Sequence, residues 1–122
     1  MMIPFLMAAA LVSTPDQAIL DEARALGRDV AMGQICEAIE AATFDGDALI
    51  KDAEDLLTRG QAVNISEPVI SGAAEEAHTR LMAELEEQYP DGAEDAALAH
   101  LTRACNDLIT NRPAYFSAFK AD

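Results

Sequence analysis

The chain has no tryptophan and only six aromatic residues among 122. A core made without large rings is filled by Ala, Leu and Ile, as helical bundles fill theirs. Bases are also scarce, with 8 Lys and Arg against 22 Asp and Glu and a formal net charge of -14. That balance argues against binding a nucleic acid backbone or an anionic membrane surface, because both need clustered Lys and Arg. The apolar stretch "IPFLMAAALV" is ten residues and too short to span a bilayer as a helix, even with the two methionines before it. No glycine-rich phosphate loop, nucleophile elbow or Ser-His-Asp arrangement occurs. Alternation suited to a strand is missing, and so is any internal repeat.

What is present describes one small acidic helical domain. The first thirteen residues carry no ionisable side chain, although the rest of the chain is dense with acids. Residues 1–14 fit a cleaved export signal, which leaves 15–122 as a single domain with an aromatic tail from about 112. The expected location is then periplasmic or secreted. The alternative is a cytoplasmic protein in which residues 3–12 form a buried segment.

Four helices are expected. "TPDQ" places Thr14 at an N-cap, Pro15 at the first helical position and Gln17 at the capping-box position. This helix should run to about Ala42. Its apolar stripe changes sides beside Gly33, so it is either buried on two faces or kinked between Gly27 and Gly33. Asp45 or Asp47 caps a second helix that stops near Gly60. Ser66 or Ser71 caps a third, with Pro68 in its first turn if Ser66 does so. "YPDG" ends that helix, and Asp91 is the expected cap of the fourth, which stops before Pro113. Short links between amphipathic helices suggest an antiparallel bundle.

Cys36 and Cys105 are the only cysteines, and export would pair them as one disulfide. In a simple up-down bundle they would lie at opposite ends, so the bond requires a bent first helix or another topology. Glu75-x-x-His78 matches half of a di-iron site, but Ala97 stands three residues before His100, and the second half fails. His78, His100 and Glu75 are the most that could be assembled for zinc. "DGDALIKDAED" fails as a calcium loop because Leu49 and Ile50 fall where a ligand and a glycine are needed. No catalytic residue, metal or cofactor is therefore expected.

Charge and aromatics are unevenly spread. Residues 16–95 hold 20 acids and 5 bases, whereas the remainder of the chain is slightly basic. That last part carries Tyr115, Phe116 and Phe119, three of the six aromatics, within five residues. With Arg112 they form either a tail that plugs the bundle or an exposed docking element. The functional expectation is a non-catalytic exported protein that binds another protein, a basic one among the options, as an inhibitor, immunity or accessory factor. An acid-responsive periplasmic chaperone is the alternative, because 22 carboxylates lose their charge as pH falls through about 4.

Overall fold

A computed structural model describes residues 14–121. Residues 1–13 of the expected export signal lie outside the described residues. Helix α1 spans Pro15–Ala38, β1 Thr43–Phe44, α2 Gly46–Ala62, α3 Glu67–Gln88, α4 Glu94–Asn111 and β2 Phe116–Ser117. The four helices match the number and order that the sequence implies.

Local chemistry sets most of the helix starts. Thr14 accepts a hydrogen bond from the Gln17 N–H at 3.1 Å, and Asp45 accepts one from the Ala48 N–H at 3.0 Å. Each satisfies an N–H group that lacks a partner in the first turn. Ser66 occupies the α3 N-cap, with Pro68 in the first turn. Two boundaries differ from expectation. Helix α1 stops at Ala38 because Glu40 takes a left-handed backbone (φ 59°) and the Ala41 N–H turns back to the Cys36 carbonyl. Helix α4 begins at Glu94, since Asp91 and Gly92 form a turn with Gly92 at φ 97°.

Helix α1 is the element that the others share. It packs most extensively on α3, then on α2, and more sparingly on α4. Ile19, Ala23, Leu26, Gly27, Asp29, Ala31, Gly33 and Cys36 are buried, so side chains on several sides of this helix are covered. The change of stripe at Gly33 therefore reflects a central helix, and α1 is unbroken from Pro15 to Ala38. Its glycines serve close approach. A Cβ at Gly27 would stand 2.0 Å from the Ala74 carbonyl oxygen, and one at Gly33 would stand 2.4 Å from the Phe44 ring. No side chain fits at either place without moving its neighbour.

Cys36 and Cys105 stand at disulfide distance, with Cα atoms 5.8 Å apart and both residues fully buried. Both lie in the C-terminal parts of their helices and α1 is unbroken, so the arrangement departs from simple up-down order. Cys105 is the buried residue of α4. The pairing is of the kind that an oxidising compartment maintains. Among the described residues no helix is long and apolar enough to cross a membrane.

The chain after α4 folds back onto the core. Strands β1 and β2 pair antiparallel, Thr43 opposite Ser117 and Phe44 opposite Phe116. The Asp45 N–H donates to the Tyr115 carbonyl at 2.8 Å, and the Lys120 N–H donates to Thr43 Oγ1 at 2.8 Å. Two-residue strands are too short for any periodic signal, so no local pattern announces this ladder.

Candidate binding groove

The residues singled out in the tail are mostly committed to the core. Phe116 is 1% exposed and lies 5.3 Å, centroid to centroid, from Phe44. Tyr115 is buried and donates its hydroxyl to Asp52 of α2. Arg112 is half-buried and donates through Nε and Nη2 to Asp29, the buried carboxylate of α1. Its guanidinium also lies over the Tyr115 ring at 5.4 Å. Phe119 is half-buried at the tail's end. Of the two readings of Arg112, Tyr115, Phe116 and Phe119, the tail that plugs the core fits the burial of Tyr115 and Phe116, while Arg112 and Phe119 stay partly exposed. Burying two rings outweighs leaving them in water, and the tail's polar groups find partners on α1, α2 and β1.

This plug changes the ionisation of its partners. Burial raises the Asp29 pKa above the ordinary carboxylate value, against the opposing pull of Arg112. The Tyr115 phenol is pushed up to about 12 by burial and then by its hydrogen bond to Asp52. Farther along α1 and α2, Arg59 bridges Glu22 and Asp55 at 2.9 Å each. Every one of these cations already has a carboxylate partner, so the cluster reads as a clasp rather than an empty site.

The histidines are not brought into a common site. His78 lies 3.4 Å from Gln34 Oε1, while His100 stacks on Tyr89 at 5.5 Å. Among the described residues, no group of three or more His, Cys, Asp or Glu is placed to hold a metal ion.

An unfilled space does occur between α2 and α3. Gly27 and Val30 of α1 form its floor, with Ala53 and Leu57 of α2 on one wall and Ser71 and Ala74 of α3 on the other. Its volume is about 130 Å³, and Ser71 is the only polar residue in its lining. A second space, which shares Gly27, Val30 and Ala74 with the first, lies between α1 and α3 and is lined also by Glu75, His78 and Thr79. The first space has its origin in the small side chains. Gly27 lets α3 approach α1 to backbone contact, and α2 meets α3 closely where a Cβ at Gly60 would stand 2.3 Å from Ile70 Cδ1. Beyond that contact, Ala53 and Ala74 are too short to bridge the gap. Ile50, 55% exposed, continues the Ala53–Leu57 stripe by helical spacing.

The groove's margin is acidic. Glu54 follows Ile50 by four residues and precedes Leu57 by three, which places it beside the apolar stripe, and Asp47 lies one heptad earlier. Glu75 flanks the opposite wall. All three are exposed, and among the described residues none takes part in an ion pair. Helical spacing puts Ala53 and Leu57 on one apolar stripe and Ala74 with Ile70 on another, but a stripe does not reveal that part of it stays uncovered.

Comparison with protein families, with curated proteins and with solved structures gives no match for this chain.

Proposed function

We propose that this is a non-catalytic protein that acts by binding another protein, and that export from the cytoplasm brings it to its partner. The observation that carries the reading is the apolar groove between α2 and α3. Soluble chains seldom leave a concave apolar surface beside an exposed Ile without a use for it. The paired cysteines agree with an oxidising location. An acid-opened chaperone is less well supported. The raised Asp29 pKa makes its protonation favour the folded state, so acid at this buried site does not by itself open the fold.

Photo-crosslinking in the native host tests the reading. A photoreactive residue at Ile50, at the groove's mouth, should give a discrete adduct with one protein. The same residue at Asp107, exposed on α4, should give none. Adducts that form equally from both positions, or from neither, would refute the proposal.

A further inference from the structure

The groove's chemistry narrows what enters it. Its apolar stretch faces α3 from Ile70 to Ala74, which is roughly 6 Å or one helical turn at 1.5 Å per residue. A strand would bring unpaired backbone groups against walls that are all side chain. A helix satisfies its own backbone and offers apolar side chains at i and i+3 or i+4 over the same length. The margins are the second constraint. Glu54 and Asp47 on one side, with Lys51 between them, and Glu75 on the other leave the margins net acidic, and none of the three carboxylates takes part in an ion pair among the described residues. Acidic flanks repel an acidic helix and attract a basic one over about a Debye length. They also disfavour a second copy of this chain, whose net charge is -14.

We infer that the α2–α3 groove receives an amphipathic helix whose apolar stripe is flanked by Lys or Arg. This rests on the protein-binding reading above and gives the partner's chemistry. Ala53 and Ala74 receive its apolar anchors, while Glu54 and Glu75 pair with its flanking cations. The acidic balance of residues 16–95 then acts in steering, because long-range attraction speeds the encounter and falls with salt.

The test uses the full chain and three synthetic peptides of about 14 residues, long enough to cover that turn with ends to spare. One carries Leu at i and i+3 with Lys on both flanks, one has Glu in place of Lys, and one is a scramble of the Lys peptide. Binding is followed by fluorescence anisotropy. The Lys-flanked peptide should bind best, and its affinity should fall about tenfold on raising salt to about 0.5 M. Ala53→Trp, which fills the groove, should abolish binding. Glu54→Lys with Glu75→Lys changes only exposed positions, and it should weaken the Lys peptide about tenfold and favour the Glu peptide. Binding that Ala53→Trp blocks but charge reversal leaves unchanged would overturn the basic partner while leaving the groove as a docking site. Absence of binding by every peptide, or binding indifferent to Ala53→Trp, would overturn both. A dimer that Ala53→Trp dissociates would assign the groove to a second copy and refute the inference.

Discussion

Replacing Cys36 and Cys105 together by Ala removes the one covalent link between α1 and α4. The residues are 69 apart in sequence. A cross-link closing a loop of that size removes unfolded-state entropy equivalent to about 4 kcal/mol, a large fraction of the 5–15 kcal/mol typical of small domains. The effect should also be local. Cys105 is the buried residue of α4, Leu98 is 49% exposed, and α4 touches α1 far less than α3 does. Without the bond, α4 keeps only the partly buried Leu108 and Ile109 against the core, plus the tail that follows it. Denaturant unfolding followed by far-ultraviolet circular dichroism should show a loss of about 4 kcal/mol for the double variant and for the reduced protein alike. Amide exchange should rise first in residues 94–107, while α1 and the first half of α3 keep their protection. A loss below about 1 kcal/mol, or α4 amides as protected as those of α1, would refute the argument that this bond is what fastens α4.

Three further outcomes follow from the packing and the clasp. Arg112→Ala strands the Asp29 carboxylate in the core. Breaking a fully buried pair costs about 3–5 kcal/mol, but the Arg112 side chain is 38% exposed, so about 2 kcal/mol is expected at pH 7. The cost should shrink as pH falls and Asp29 takes a proton, and Asp29→Asn added to Arg112→Ala should recover most of it; unfolding curves at neutral and acidic pH check this. Tyr115 is favoured as the neutral phenol in the fold. Its contribution is complete below pH 10 and is lost as pH rises through about 12, amounting to roughly 2 kcal/mol. Tyr115→Phe should flatten the alkaline limb of a thermal-stability profile. Gly27→Ala forces a methyl group against the Ala74 carbonyl and should lower stability by about 1–3 kcal/mol, whereas at exposed Gly72, where a Cβ meets nothing within 4 Å, the same change should stabilise.

How legible the fold was in the sequence depended on distance along the chain. Thr14 with Pro15, Asp45, and Ser66 with Pro68 announce helix starts because a cap bonds within its own first turn. Glycines were ambiguous. Gly27 and Gly33 could mark a bend or a close contact, and the choice depends on Ala74 and Phe44, which the local sequence does not show. The Arg112–Asp29 pair spans 83 residues and the Tyr115–Asp52 bond spans 63, beyond any local pattern. For the tail, the reading as a plug was available from the cluster of aromatics, but composition cannot say which way rings point. The groove was hidden for a related reason. Ala53 and Ala74 read as core positions, and only the placement of α2 against α3 shows that they leave a space.

The short β1–β2 ladder has a consequence for how the protein is made. Phe116 is among the largest fully buried side chains, and its partner Phe44 precedes it by 72 residues. A chain made from its N-terminus has α1, β1 and α2 synthesised well before Phe116 exists to cover them. Until then, Phe44 and the side chains around Cys36 lack their cover, and the loop between the two rings must close late. The region around Phe44 and Cys36 therefore takes its final shape only once that distant segment has been made.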